Sequence, residues 1–165
     1  MSGVMVPCEE WGMRLALASD HGGFELKEAV KGWLQEWGHE VVDLGTHSSR
    51  SVDYPDYVGR AAAAVSRGEV TRAVVLCGTG IGASIVANKY PGVRATLCHD
   101  IYTARMSRLH NDSNVLAMGG RVLGADLARE MLKVWLETPF EGGRHERRLK
   151  KLEDLERRIL EGEEP

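Results

Sequence analysis

A cysteine followed by a glycine-rich loop is the segment of this sequence best suited to chemistry. Cys77 ends an apolar run, and residues 78–82 (GTGIG) lead from it into a predicted helix. Glycines let successive backbone N–H groups turn toward one point, and a helix N-terminus adds partial positive charge, so the loop predicts an anion-binding site. A thiol beside such donors is favoured as the thiolate, which is the form that can remove a proton.

Each of these features also has a simpler interpretation. The loop at residues 78–82 is compatible with a strand-to-helix turn that binds nothing, because only some glycine loops of this kind hold an anion. Cys77 is compatible with a core residue, because free cysteine is among the most buried residue types. The two features side by side favour the functional interpretation.

A dinucleotide site is a second functional interpretation of the loop. Gly78, Gly80 and Ala83 match the fingerprint G-x-G-x-x-A, and Asp100 follows about twenty residues later, where such sites carry an acidic residue. Against it, Pro91 shortens the following helix, and the chain leaves no room for a separate substrate domain. A small nucleotide-binding module is therefore the alternative from the binding class. A Walker A loop is excluded, because no Gly-Lys-Ser/Thr follows.

A thiolate beside anion-binding donors suits proton abstraction next to a carbonyl group. An aldose-to-ketose conversion removes the proton from C2 and returns it to C1 through an enediolate, whose oxyanion needs preorganised donors. The Thr79 hydroxyl is a candidate for relaying the proton or holding a sugar oxygen. Because sugars close into rings, an acid–base pair that opens the ring is also required, and His110 and Asp20 are the candidates.

Arginines late in the chain are candidates for binding a phosphate group. Residues 142–148 (GGRHERR) open the last predicted helix, and Arg121 follows the fifth predicted strand. The forked guanidinium group suits phosphate recognition. The alternative is a solvated charged face, which is the usual role of a run of charges.

These residues need a scaffold, and the hydrophobic pattern predicts a sheet. Short apolar runs alternate with segments of helical periodicity, so we predict a single three-layer α/β/α domain with a five-stranded, parallel, Rossmann-like sheet. Ligands of such sheets bind beyond the carboxyl ends of the strands, where Asp20, Cys77 and Arg121 follow the first, third and fifth strands. The predicted strands are residues 14–19, 40–44, 73–77, 93–98 and 115–118.

The end of the chain predicts a charged C-terminal helix that needs a neighbour. Leu149, Leu152, Leu155 and Ile159 recur at helical spacing among many charged residues. A narrow apolar stripe of this kind packs against another element or another subunit.

Length and composition exclude several classes of protein. The 165 residues suit one domain, which we assign to residues 13–165, after an extension at residues 1–12 that we expect to be flexible. A net charge of −3 gives no basic field for nucleic acid, and no apolar run is long enough to span a membrane.

Cysteine and histidine usage predicts free thiols and no metal. The three cysteines, Cys8, Cys77 and Cys98, form neither a disulfide framework nor a zinc pattern, so a reducing cytoplasm is the expected location. Cys98 fits the core, and Cys8 has no motif around it. The six histidines lack the spacing of a metal motif, so we predict no metal site.

Taken in order, the motifs of this chain resemble those of the type B ribose-5-phosphate isomerases, a family that also holds the galactose-6-phosphate isomerase subunits. The resemblance covers residues 13–158, and so many matches in the right order are specific where no single one would be. One branch of the family uses a glutamate just after the glycine loop; Ala83 stands there in this chain, which therefore resembles the thiol branch. The motifs are Asp20-His21-Gly22-Gly23, Asp53-Tyr54-Pro55, Cys77-Gly78-Thr79-Gly80-Ile81-Gly82, Ala87-Asn88-Lys89, His110-Asn111-Asp112-Ser113-Asn114, Gly119-Gly120-Arg121-Val122 and Gly143-Arg144-His145.

The resemblance implies a role for each site residue. Cys77 would be the general base, with Thr79 assisting, and His110 would open the sugar ring with Asp20. It implies that the loop amides of Gly78, Gly80, Ile81 and Gly82 hold the enediolate. The implied sugar contacts are Tyr54 and Asn111. The implied phosphate ligands are His21, Arg121, Arg144, His145 and Arg148.

The resemblance also implies no cofactor and a homodimer or tetramer whose active sites draw residues from both subunits. The expected reaction is the interconversion of ribose 5-phosphate and ribulose 5-phosphate in the pentose phosphate pathway. A six-carbon sugar phosphate, galactose or allose 6-phosphate, is the alternative substrate, because the volume enclosed by the loop at residues 45–56 cannot be read from residue names. A non-catalytic sensor of sugar phosphates ranks last, since it need not keep Cys77, Thr79 and His110 together.

Overall fold

Strands and helices alternate along residues 12–163, which are the residues that the computed structural model describes. Residues 1–11, which include Cys8 and nearly all of the predicted N-terminal extension, lie outside the described residues. The elements, in chain order, are β1 (Arg14–Ser19), α1 (Phe24–Glu36), β2 (Glu40–Asp43), α2 (Tyr54–Ser66), β3 (Arg72–Cys77), α3 (Ile81–Ala87), β4 (Ala95–Leu97), α4 (Ile101–Asn111), β5 (Val115–Gly119), α5 (Ala125–Glu137) and α6 (Arg144–Leu160).

The five strands form one sheet in the order β2-β1-β3-β5-β4. Every pairing between neighbouring strands is parallel. β3 lies at the centre and is buried at every position after Arg72, as expected for an entirely apolar run. The predicted five-stranded parallel α/β sheet is therefore confirmed.

Alternate residues of the central strands build two different cores. Leu15 and Leu17 of β1 face α1, α4 and α5, where leucines and methionines surround the fully buried Trp135. Ala16 and Ala18 face the other side, where the small residues of α2 and α3 pack. Because successive side chains of a strand point to opposite faces, the same strands specify both helical layers.

Two element boundaries differ from those expected from the sequence. The sequence predicts a helix over residues 57–67, whereas α2 begins at Tyr54, because Pro55 is tolerated in the first turn of a helix, where an N–H group has no intrahelical partner. β4 spans three residues and not residues 93–98, since it is an edge strand that pairs with β5 alone. Neither difference changes the topology.

The predicted C-terminal helix is α6, and its apolar stripe is largely exposed. Leu149 is buried, whereas Leu152, Leu155 and Ile159 are exposed. The carboxylate of Glu156 accepts hydrogen bonds of 3.0 and 3.1 Å from Gly92 N–H, which fastens the helix to the turn before β4. Neither α6 nor any other described helix combines the length and apolar composition needed to cross a membrane.

Candidate active site

Three loops meet at the carboxyl edge of the sheet, next to Cys77. Gly120 N–H donates to Cys77 O and Arg121 N–H donates to Gly78 O, both at 2.9 Å, so the loops after β5 and β3 are joined. The loop after β1 is held to the end of β3, because Asp20 N–H donates to Leu76 O at 3.3 Å. The three segments expected at this edge are therefore in contact.

The loops after β3 and β5 approach so closely that their contact requires glycine. An ideal Cβ atom on Gly119 would lie 2.6 Å from the backbone of Thr79, and one on Gly80 would lie 2.8 Å from the carbonyl carbon of Met118. Gly80 also has a φ of +80°, in the left-handed region that favours glycine. The glycines thus set the packing of the loop as well as the direction of its amides.

Cys77 is buried at the base of this edge, with 5% of its surface exposed. Its Sγ accepts a hydrogen bond of 3.1 Å from Gly80 N–H, so one of the amides predicted to face an anion faces the sulfur. A donor at this position stabilises negative charge on the sulfur. The exposed Thr79 follows on the same loop, and its hydroxyl oxygen accepts from Ile81 N–H at 3.2 Å.

The loop after β1 presents a carboxylate and an imidazole. Asp20 is 8% exposed, and its Oδ1 accepts a hydrogen bond of 3.1 Å from Gly23 N–H. His21 Nδ1 accepts from Val52 N–H at 3.2 Å. A neutral imidazole that accepts at Nδ1 carries its hydrogen on Nε2, so His21 can donate from Nε2 to a phosphate or sugar oxygen.

Tyr54 and Arg121 flank the glycine loop. The Tyr54 ring lies against Gly82, because an ideal Cβ atom on that glycine would be 2.8 Å from the ring. The Arg121 side chain lies across Gly78, whose ideal Cβ atom would be 3.2 Å from Nη1. Both side chains belong to exposed residues, and they add a phenol and a cation to the surface around the loop.

A buried ion pair supports the loop that carries Val52. Lys27 is fully buried, and its Nζ donates to both carboxylate oxygens of Asp43 at 2.8 Å. Asp43 ends β2 and also accepts from Gly45 N–H at 3.0 Å and from Lys31 Nζ at 3.1 Å. Asp43 therefore holds the start of the loop that follows β2. This loop carries Val52, whose N–H donates to His21.

The other predicted site residues lie at the opposite edge of the sheet. α4 begins after the carboxyl end of β4 and ends at Asn111, just before the amino end of β5. Cys77 pairs with Gly119 at the carboxyl end of β5, whereas His110 precedes its amino end, and the four steps of 3.3 Å along β5 span about 13 Å. We call the group around Cys77 the thiol half-site and the group around His110 the histidine half-site. The thiol half-site comprises Asp20, His21, Tyr54, residues 77–82 and Arg121, and the histidine half-site comprises His110, Asn111, Arg144, His145 and Arg148.

Two imidazoles stack in the histidine half-site. The ring centroids of His110 and His145 are 4.1 Å apart, and the rings are inclined by 13°. Glu141 lies beside them, with Oε2 at 3.8 Å from Nε2 of each ring. Burial, together with the neighbouring His110 and Arg144, lowers the pKa of His145, although Glu141 opposes this shift. The lowered pKa favours the neutral form of His145.

The burial of His145 differs from the setting expected of a phosphate ligand. Its side chain is 6% exposed in the single chain, and its Nε2 has no hydrogen-bond partner among the described residues. Arg144 and Arg148 are exposed. The role of all three in binding phosphate stays a prediction.

His110, Glu141 and His145 are also the described residues whose ligand atoms could surround a metal ion, since these atoms lie within 4.8 Å of one another. The two rings are nearly parallel, so their nitrogen lone pairs point side by side and do not converge. Zinc requires imidazole nitrogens at about 2.0–2.1 Å in tetrahedral directions. This geometry disfavours a metal, and the predicted absence of one stays a prediction.

The family model for ribose/galactose isomerases matches residues 15–152. The chain belongs to the ribose/galactose isomerase family. The resemblance inferred from the motifs is thus confirmed, and the matched range contains every site residue predicted from the sequence, from Asp20 to Arg148.

Relatives in this family cover nearly the whole chain. Ribose-5-phosphate isomerase B of Escherichia coli K12 is 47% identical over 145 residues, which are 88% of this chain and 97% of the relative. The structure of ribose-5-phosphate isomerase B from Clostridium thermocellum superposes with a TM-score of 0.87 at 50% identity, covering 89% of this chain and 99% of the other. The ribose 5-phosphate isomerase of Thermotoga maritima superposes with a TM-score of 0.83 at 48% identity, covering 86% and 98%.

Sequence reasoning missed Glu141 and the buried pair of Lys27 and Asp43. Glu141 directly precedes the GGRHERR segment and stands four residues before His145, a spacing that marks it as a possible partner. Lys27 gives no comparable signal, because a lysine in an amphipathic helix is expected at the surface.

Proposed function

We propose that this chain is a type B ribose-5-phosphate isomerase, which interconverts ribose 5-phosphate and ribulose 5-phosphate. The observation that carries the proposal is the hydrogen bond from Gly80 N–H to Cys77 Sγ. It lies in the glycine loop that follows the carboxyl end of β3. Relatives that are 47% and 50% identical bear this enzyme's name. We further propose a cytoplasmic location, which free thiols favour, and a place in the pentose phosphate pathway.

In the proposed mechanism Cys77 is the base. Its thiolate removes the proton from C2 of the open-chain aldose, and the C2 electron pair forms the C1–C2 double bond of an enediolate as negative charge moves to the carbonyl oxygen. The amides of Gly78 and Gly82 stabilise this oxyanion, joined by that of Ile81 once it leaves Thr79 Oγ1, to which it donates in this structure. Thr79 moves the proton of the C2 hydroxyl to O1. Return of the proton from Cys77 to C1 gives the ketose. No cofactor takes part in this sequence.

Ring opening requires residues of both half-sites. His110 and Asp20 are the proposed acid–base pair, and in one chain the length of β5 separates the edges on which they lie. We propose a homodimer or a tetramer, in which the histidine half-site of one copy completes the thiol half-site of another. The proposed sugar contacts are Tyr54 and Asn111, and the proposed phosphate ligands are His21, Arg121, Arg144, His145 and Arg148.

The test is the turnover of ribose 5-phosphate to ribulose 5-phosphate by purified protein in the presence of EDTA. Cys77→Ala should lower kcat by at least about 10²-fold, the lower end of what acid–base catalysis contributes. Cys98→Ala is the matched control, because Cys98 is a buried thiol of the other core cluster, which does not contain Cys77. Its kcat should remain close to that of the wild type.

Turnover by the wild type and by Cys98→Ala, with none by Cys77→Ala, would support the substrate, the base and metal independence together. Substantial activity in a folded Cys77→Ala variant would remove Cys77 from its role. Absence of wild-type turnover would redirect the assay to galactose and allose 6-phosphates. Failure there, with nucleotide binding seen by calorimetry, would favour the nucleotide-binding module.

A further inference from the structure

Glu141 is the carboxylate that faces both imidazoles of the histidine half-site. Its Oε2 lies 3.8 Å from His110 Nε2 and 3.8 Å from His145 Nε2. Its backbone N–H donates to Leu109 O at 3.1 Å, which fastens the residue to the last turn of α4, next to His110. Both the side chain and the backbone of Glu141 are thus directed at the end of α4.

The turn after Glu141 brings His145 to the same point. Gly142 and Gly143 have φ of +73° and +58°, and His145 N–H donates to Gly142 O at 3.1 Å. The chain therefore folds back within four residues, so that Glu141 and His145 contact His110 from the same segment. Glu146, the next carboxylate, lies 3.5 Å from Lys150 and has a mostly exposed side chain.

A carboxylate beside an imidazole determines which ring nitrogen carries a hydrogen. An ionised carboxylate only accepts hydrogen bonds, so a nitrogen that faces it is held as N–H. At 3.8 Å the contact is electrostatic or bridged by a water molecule. The charged contact of His110 is Glu141, at 3.8 Å, while Arg144 and Arg148 of α6 act on the stacked His145 and help to lower its pKa. Glu141 is therefore the anion that faces His110 Nε2.

We propose that Glu141 is a positioning residue for ring opening, which keeps a hydrogen on His110 Nε2 and leaves His110 Nδ1 to exchange a proton with the sugar. The proposal rests on the proposed function, in which His110 is the acid. The proton passes from Nδ1 to the ring oxygen as the C1–O4 bond breaks. Asp20 of the second copy accepts the proton of the C1 hydroxyl as the carbonyl forms. His110 then remains as the neutral tautomer with its hydrogen facing Glu141.

Two substrates separate ring opening from proton transfer at carbon. Ribose 5-phosphate binds as a ring and must be opened, whereas ribulose 5-phosphate cannot form a five-membered ring, because its O5 carries the phosphate. Exchange of the C1 hydrogen of ribulose 5-phosphate for deuterium from D₂O therefore needs the thiol half-site but not ring opening. Cys77→Ala should abolish both reactions.

The variant to test is Glu141→Gln, with Glu146→Gln as the matched control. Glu141→Gln should lower kcat/KM for ribose 5-phosphate by at least about tenfold, within the range of acid–base effects, and keep deuterium exchange within about twofold of the wild type. Glu146→Gln should leave both reactions unchanged. Because Glu141 acts through His110, the double variant with His110→Ala should be no slower than His110→Ala alone.

Equal losses in the two reactions would overturn the proposal, since damage to the whole site has that effect. No loss in either reaction, or additive losses in the double variant, would also overturn it. A folded wild-type protein that catalyses neither reaction would overturn the proposed function, and this inference with it. Selective loss of ribose 5-phosphate turnover is the result that supports Glu141 in ring opening.

Discussion

Asp43 makes the free energy of unfolding depend on pH in the acidic range. Burial acts to raise the pKa of its carboxyl group, but hydrogen bonds from Lys27, Gly45 N–H and Lys31 outweigh it and lower the pKa. A carboxyl with a lowered folded-state pKa stabilises the fold fully above its unfolded pKa, about 3.9, and loses that contribution as pH falls through the folded value.

We predict that Asp43→Asn lowers the free energy of unfolding by about 3 kcal/mol at pH 7, because it leaves the buried Lys27 ammonium with Glu28 as the one close anion among residues 12–163. The difference from the wild type should begin to narrow below about pH 4, the unfolded-state pKa, and should close as pH falls through the lowered folded-state pKa of Asp43. Urea unfolding followed by tryptophan fluorescence at pH 7 and pH 3 measures both values. Asp154→Asn is the surface control, with little effect expected at either pH. A difference that does not change with pH would contradict this prediction.

At the residue scale, the sequence predicts candidate site residues that share a motif. It does not predict contacts between side chains that lie far apart in the chain. Cys77 and Thr79 are marked by the glycine loop, whose composition has a direct physical meaning. The contact between Glu141 and His110 depends on how the turn before α6 packs on α4, and no local pattern encodes that. The burial of Lys27 likewise depends on Asp43, which belongs to a different element.

Among the elements, the loop between β3 and α3 tolerates a side chain at Gly80 poorly. A Cβ atom on Gly80 would meet Leu97 Cδ1 at 2.6 Å and the backbone of Met118 at 2.8 Å. Since Gly80 N–H is also the donor to Cys77 Sγ, displacement of this backbone separates the amide from the sulfur.

We therefore predict that Gly80→Ala lowers kcat/KM by at least about tenfold and destabilises the fold by about 1–3 kcal/mol, through both the clash and the left-handed φ. Gly92→Ala is the matched control. Gly92 also has a positive φ, +75°, but no atom of the described residues lies within 4 Å of its ideal Cβ atom. This variant should cost about 1 kcal/mol and keep its activity. Thermal unfolding and steady-state kinetics on both variants measure the contrast; similar activity losses in the two would count against the role assigned to the loop.

The order and type of the elements followed directly from the sequence, because apolar runs and helical periodicity are local signals. Their boundaries followed less well. The start of α2 at Tyr54 depends on Pro55 in the first turn, and the short β4 depends on its having one neighbour. The separation of the half-sites on opposite edges follows from the direction of α4, once the sheet is known to be parallel.

For the whole molecule, the proposed assembly places each active site between two copies of the chain. The exposed Leu152, Leu155 and Ile159 of α6, near the histidine half-site, give one apolar surface for such an assembly. A symmetric dimer would contain two sites, each with Cys77 from one copy and His110 from the other.

We predict that two defective variants restore activity when they are mixed. Cys77→Ala lacks the base and His110→Ala lacks the ring-opening acid, so each homodimer is impaired with ribose 5-phosphate. A mixed dimer has one doubly defective site and one intact site, and random exchange should give roughly a quarter of wild-type activity. The measurement is the isomerase assay after co-refolding the two variants in equal amounts.

Mixing each variant with wild-type protein at the same total concentration controls for loss during refolding. If the mixture of variants is no more active than its components, while the wild-type mixture regains activity, the site lies within one chain.

The strands leave the ribosome in an order that differs from their order in the sheet. β2, β1 and β3 are neighbours, so three of the five strands can pair once Cys77 has left the ribosome. β4 must wait, because its only partner is β5, and until then it is a short unpaired strand. The hydrogen bonds from Gly120 and Arg121 to the glycine loop also arrive with β5. The edge that carries the thiol is therefore finished late in biosynthesis, although Cys77 itself is made early.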